Sequence, residues 1–175
     1  NVQRSDDGGL TYGRETLISP SPGGQGQIRA MPPELNPAGN GLPVVYYPWS
    51  QGPALRLAVS LDEGATWNNC TVSEEAVGDT ANKFPIADHD NAGNIYFAIT
   101  EAGSWDTFVT TVRNAELLNC TGGINGASSV ELAHSPYVQV NRDAVDSTAF
   151  PWLVASGEPG RVAVTFYGSP MEGAP

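Results

Sequence analysis

The chain has 175 residues, 40% of them hydrophobic and 15% charged, and its 8 Lys plus Arg against 19 Asp plus Glu give a formal net charge of −11. This composition supports a buried core of single-domain size and excludes a disordered acidic tail. The basic residues stand singly, at Arg4, Arg14, Arg29, Arg56, Lys83, Arg113, Arg142 and Arg161; without a stripe to neutralise successive phosphates, nucleic acid is not expected as a partner, and no apolar run reaches the length of a membrane span.

The 20 Gly and 14 Pro are spread throughout, and the segments between them are short and rich in Val, Ile, Tyr, Phe and Thr. That punctuation predicts strands over Leu42–Pro48, Leu55–Ser60, Ile86–Asp88, Asn94–Thr100, Phe108–Arg113, Trp152–Ala155 and Arg161–Tyr167. No window of a dozen residues keeps a helical period without a Gly or Pro breaking it, so helices should be short or absent and the fold all-β. Two stretches, Ser19–Asn40 and Thr121–Ala133, read as long surface loops, either functional or decorating a rim.

One pattern occurs twice. Ser5-Asp6-Asp7-Gly8-Gly9-Leu10-Thr11-Tyr12 and Ser60-Leu61-Asp62-Glu63-Gly64-Ala65-Thr66-Trp67 share Ser-x-Asp-x-Gly-x-Thr-aromatic at blade-like spacing. The octet suits a tight hairpin. Its Asp (Asp7, Asp62) can accept turn N–H groups, its Gly (Gly9, Gly64) supplies a strained dihedral, and its hydroxyls (Ser5, Thr11, Ser60, Thr66) tie the strand ends. Its aromatic ring (Tyr12, Trp67) should cap the small core beneath.

The octets resemble the Asp-box, the bacterial neuraminidase repeat of sialidase-like β-propellers. The resemblance implies four-stranded antiparallel blades, with each box joining the third and fourth strands on the outside, away from any catalytic centre. Phe84–Ala98 resembles the inner hairpin of such a blade, and Phe150–Tyr167 repeats its shape. Where a third box would fall, Arg113–Leu118 departs from the pattern. Taking roughly 40–50 residues per blade, the chain reads as an incomplete ring. Its approximate units are 1–27 (the end of a blade), 28–82 (a blade), 83–121 (a blade) and 122–175 (a loop and the inner half of a blade). The remaining blades are expected from a longer chain, of which this is a piece, or from a second copy pairing head to tail.

Cys70 and Cys120 each lie in Asn-Cys-Thr. Asn69 and Asn119 are therefore glycosylation acceptors in a source that glycosylates, or else the tripeptide marks a repeat position. In an extracellular or cell-surface protein two cysteines invite a disulfide, but strictly equivalent positions on adjacent outer strands would hold them too far apart. Asp88 and Asp90, followed by Gly93, partly echo a calcium loop that lacks the third oxygen ligand and the distal Glu; a hairpin turn capped by Asp90 is the other reading. Apart from that calcium candidate, no cofactor is expected.

A sialidase-type site needs an arginine cluster, a Tyr activated by Glu and an acid carboxylate. Arg29, Arg56, Arg142 and Arg161 and Tyr46, Tyr47, Tyr96 and Tyr167 are present, yet Gln27–Pro32 only faintly echoes the Arg-Ile-Pro motif, and no catalytic residue can be carried over. Tyr46, Tyr47 and Trp49 read as strand aromatics packed between blades. Trp105 and Trp152 are the better candidates for stacking on a sugar, and Arg161 is expected to be solvated or paired with a neighbouring carboxylate such as Glu158. The expected function is a secreted or cell-surface, non-catalytic scaffold that binds glycan or protein. The alternative is part of a sialidase-type exo-glycoside hydrolase completed by residues outside this chain.

Overall fold

A strand whose residues are apolar on both faces has to be covered on both sides, and this chain meets that demand by stacking sheets face to face. The computed structural model describes residues 1–18, 23–75, 77–78, 84–123, 131–142 and 145–171. Its strands are β1 (Gly24–Gln25), β2 (Arg29–Met31), β3 (Val44–Gln51), β4 (Ala54–Ser60), β5 (Asn68–Ser73), β6 (Ile86–His89), β7 (Ile95–Thr100), β8 (Thr107–Val112), β9 (Val138–Gln139), β10 (Ser147–Ala155) and β11 (Val162–Ser169). Two 3₁₀ turns, Pro33–Leu35 and Asn114–Asn119, account for the helix among the described residues.

All pairings between these strands are antiparallel, and neighbours in a sheet follow one another in the chain except that β1 pairs with β3. In the first sheet β1 and β2 pair with opposite ends of β3, at Gly24↔Ser50 and Arg29↔Tyr46, and act as one interrupted edge strand; β4 and β5 follow. The second sheet runs β6-β7-β8-β9 and the third is the β10–β11 hairpin. None of these sheets closes on itself.

Side-chain alternation sets the stacking order. Val44, Tyr46, Leu55, Leu57 and Val59 of the first sheet meet Ala87, Ile95, Phe97, Ile99 and Val112 of the second in one buried cluster. The opposite face of the first sheet, with Tyr47, Trp49, Ala58 and Trp67, is covered by Val2 and Ile18 of the N-terminal segment. The opposite face of the second, with Ile86, Tyr96 and Ala98, receives Leu153, Val162 and Val164 of the hairpin. Central strands β4 and β7 are consequently buried along their whole length, which is why their sequences read as unbroken apolar runs.

The hairpin is fastened by hydrogen bonds as well as by packing. The amide of Thr148 donates to the Trp105 carbonyl (2.7 Å), that of Ala155 to Asp88 Oδ2 (3.0 Å) and that of Gly160 to Tyr96 Oη (2.8 Å). Its outward face leaves Phe150, Trp152, Val154 and Tyr167 exposed. A bulge between Ala149 and Trp152 puts Phe150 at φ +50° and turns its ring outward.

Cys70 and Cys120 are bonded, with a Cα–Cα distance of 5.3 Å, and both are buried in the cluster between the first two sheets. They do not occupy equivalent strand positions. Cys70 is on β5, whereas Cys120 follows the 3₁₀ turn that leaves β8 and swings the chain back over the first sheet. There the Asn69 amide donates to the Gly122 carbonyl (2.6 Å) and the Leu132 amide to the Thr71 carbonyl (2.8 Å). The connection 113–137 is thus pinned to both sheets.

All seven predicted strands are present, with shifted ends. The stretch Ser19–Asn40 is not one loop: it holds β1, β2 and the first 3₁₀ turn, because Arg29–Met31 pairs with β3 despite the surrounding prolines; its residues Ser19–Pro22 lie outside the described residues. Of Thr121–Ala133, residues 124–130 lie outside them too, and so does Lys83. Strands β5 and β9 were not expected, since Asn-Asn and a two-residue pairing carry little strand signal. Sheet membership also crosses the sequence units: β1 precedes residue 28, and β9 lies beyond 121. Among the described residues, no helix is long and apolar enough to cross a membrane.

Candidate binding site on the first-strand edges

The two octets fold alike. In the first, Ser5 Oγ donates to Asp7 Oδ1 (2.8 Å) and accepts from Gly9 N (2.8 Å), while Asp7 accepts from Thr11 N (2.9 Å) and Thr11 Oγ1 (2.6 Å). In the second, the same four bonds join Ser60, Asp62, Gly64 and Thr66 at 2.7, 2.7, 2.8 and 2.6 Å. The second octet connects β4 to β5, and its Trp67 is buried with Nε1 donating to the Gly64 carbonyl (3.1 Å). The first spans the Val2↔Thr16 bridge, and its Tyr12 is 61% exposed. The expected capping ring therefore holds for Trp67 and not for Tyr12, whose ring stands largely in solvent.

These bonds leave the turns acid-sensitive. Hydrogen bonds from the Thr11 hydroxyl, the Thr11 amide and Ser5 lower the Asp7 carboxyl to about 2. For Asp62, burial acts upward, but the bonds from Thr66, Ser60 and Ala65 outweigh it and the carboxyl titrates below its ordinary value. A carboxyl depressed on folding contributes stability above its unfolded value, about 4, and that contribution is lost as pH falls through the folded value. The melting temperature is therefore expected to fall as pH drops from 4 toward 2, and Asp62→Asn should flatten that limb. Thermal unfolding followed by circular dichroism across this range checks it; an unchanged acid limb in the variant refutes the assignment.

A different set of residues converges where the leading strands of the three sheets come together. Arg29 enters from β2, Tyr46 from β3, Asp88 and His89 from β6 and Trp152 from β10. The guanidinium carbon of Arg29 lies 5.9 Å from the centre of the Trp152 ring, a cation–π arrangement. Arg29 Nε is buried and has no hydrogen-bond partner among the described residues. Tyr46 Oη and His89 Nδ1 are 3.0 Å apart. Asp88 places Oδ1 3.9 Å from that nitrogen, and its Oδ2 accepts the Ala155 amide. Burial pushes the Tyr46 hydroxyl far above its ordinary value, and Asp88 adds to the effect. Burial also lowers His89, against the pull of Asp88 and Asp90, which favours the neutral ring.

Three of the other candidates, Arg56, Arg161 and Tyr96, have structural partners. Arg56 is held by Thr71 and by a bidentate pair with Glu74 (2.9 and 2.9 Å), and Arg161 pairs with Glu158 at 2.9 Å. Tyr96 is bonded to a carboxylate, Asp90 Oδ2, at 2.6 Å, but it is buried and also accepts the Gly160 amide. Burial and the bond to Asp90 raise its hydroxyl above the ordinary value, against the Gly160 amide.

Asp88 and Asp90 both have protein partners, Asp88 Oδ2 accepting the Ala155 amide at 3.0 Å. Both Asp90 oxygens are occupied by the Ala92 and Asn94 amides, the Asn94 side chain and Tyr96, the geometry of a capped turn. Gly93 completes that turn at φ +77°, where a Cβ would meet Asn114 Nδ2 at 2.6 Å. Asn69 is wholly buried on β5, leaving no room for a glycan in the folded chain, whereas Asn119 is exposed, its amide donating to Glu116 Oε2 (3.0 Å).

Sequence reasoning named Arg29, Tyr46 and Trp152 separately and missed their meeting with Asp88 and His89. The one signal was the faint motif at Gln27–Pro32. Comparison of the chain with family models, curated proteins and solved structures finds no match.

Proposed function

We propose that the chain is part of an extracellular or cell-surface Asp-box β-propeller, its stacked sheets being blades, and that it binds a glycan or protein ligand at the first-strand edges without catalysing a reaction. The convergence of Arg29, Asp88 and Trp152 from three different sheets carries this reading. A fixed cation, a carboxylate and a half-exposed indole on one edge suit a polar ligand with a flat apolar face. Tyr46 and Tyr96, the tyrosines bonded to an acid or base here, are buried and held protonated, so neither serves as a nucleophile, which favours binding over catalysis. The propeller reading is supported by the second octet joining the third and fourth strands of a meander, and by sheets that stack through both faces. Further blades, from a longer chain or a second copy, would cover the outward face of the hairpin.

Arg29 also fits the second reading, a sialidase-type hydrolase completed elsewhere. A titration with neutral and acidic glycans, followed by tryptophan fluorescence alongside release of a fluorogenic aglycone from α-sialosides, separates the two. Saturable quenching without hydrolysis, weakened about ten-fold or more by Arg29→Ala and by Trp152→Ala, is expected. Hydrolysis lost with Arg29→Ala would move the assignment to the hydrolase. Binding indifferent to both substitutions refutes the site.

A further inference from the structure

A second cleft, of about 850 Å³, opens at one end of the second sheet, between the connection 113–137 and the β10–β11 turn; Arg113, Glu116, His134, Ser135, Pro136 and Pro159 are among its walls. This connection occupies the place that the Ser60–Trp67 octet fills in the first sheet, yet it is far longer than a turn requires. Both of its flanks are fixed. Leu117 and Leu132 are buried in the main core, Cys120 is bonded to Cys70, and His134 bridges to Val112. Across the cleft the turn is held by the Gly160–Tyr96 bond. The walls are therefore preorganised, which limits the ordering cost of binding.

The charges in the cleft are unevenly satisfied. Glu116 Oε2 accepts the Asn119 side chain (3.0 Å) and the Ala133 amide (3.3 Å), and His134 Nε2 lies 3.4 Å from Glu131. His134 Nδ1 is 2.7 Å from the Ser135 carbonyl. Arg113 is exposed, and no ion pair or side-chain hydrogen bond engages its guanidinium among the described residues. In a chain with a net charge of −11, a guanidinium left unpaired at the mouth of a rigid cleft stands out.

We infer that this cleft binds a small ligand through a single carboxylate on Arg113, with its uncharged body between the proline walls. The planar guanidinium matches a carboxylate in a bidentate way. A doubly charged phosphate would gain from one cation while facing the Glu116 carboxylate, so a monoanion is favoured. Sugar acids and peptide carboxylates share this chemistry.

The test is calorimetric or ligand-observed NMR titration of the folded chain with glucuronate, an N-acetylated Gly-Asp dipeptide amide and inorganic phosphate. At least one carboxylate probe is expected to bind, roughly ten-fold or more weakly in Arg113→Ala, with the same loss when Arg113→Ala is made in an Arg29→Ala background, which separates this cleft from the first-strand edge. Glucuronate alone identifies a sugar acid, and the dipeptide alone a peptide carboxylate; either supports the inference. Failure of both carboxylates to bind, binding insensitive to Arg113→Ala, or phosphate binding as tightly as the carboxylates would overturn it.

Discussion

Replacing Cys70 and Cys120 together by alanine should lower the folding free energy by about 4 kcal/mol, the chain-entropy value for a closed loop of this length. The bond spans a sequence separation of 50, so the reduced chain regains the freedom of everything from β5 to the end of the second 3₁₀ turn. Two further terms act in the same direction. Both sulfurs belong to the core between the sheets, and the backbone bonds from Asn69 to Gly122 and from Leu132 to Thr71 lose the tether that holds them in register. For a chain of this size the loss corresponds to a fall of roughly 8–16 °C in melting temperature. Denaturant titration of the oxidised protein against the double variant measures it, and a difference below about 1 kcal/mol would mean that the bond only decorates a join made by packing.

Phe97→Ala should cost about as much, 3–5 kcal/mol by the usual range for a buried phenylalanine. Phe97 is fully buried in the middle of β7, pointing into the cluster shared with the first sheet. Strands on either side prevent collapse into the space it leaves. Because that cluster belongs to both sheets, unfolding should remain one transition, with the tryptophan signal of the first sheet (Trp49, Trp67) lost together with the far-ultraviolet signal of all strands. Two separated transitions in the variant would show that the sheets are independent folding units joined at a weak seam.

Much of this fold was legible because its strands obey local rules. The β-rich segments at Leu55–Ser60 and Asn94–Thr100, set between turn residues, announced strands, and the octets specified their own turns, since every bond within them links residues at most four apart. Strand β2 was hidden because Arg29–Met31 has no periodicity of its own and is a strand only by pairing with β3. The disulfide hinged on where the chain goes after β8, a path set by Leu117 and Leu132 finding the core, which spacing does not encode. The same holds for the first-strand edge: Arg29, Asp88 and Trp152 lie in three sheets, and only the stacking of those sheets makes them neighbours. Tyr12 shows the converse. Its octet is complete in sequence, but a ring caps a core only where tertiary structure supplies one.

The octet between β4 and β5 and the connection between β8 and β9 occupy matching places in two sheets built to the same plan. One is a minimal clasp, and the other is a long excursion whose two flanks are riveted to the sheets. The strands on either side keep their pairing in both cases. Each sheet thus carries one position where new sequence can be tried without disturbing the scaffold, so a protein of this design can acquire novel surfaces by lengthening a clasp while its core stays as it was.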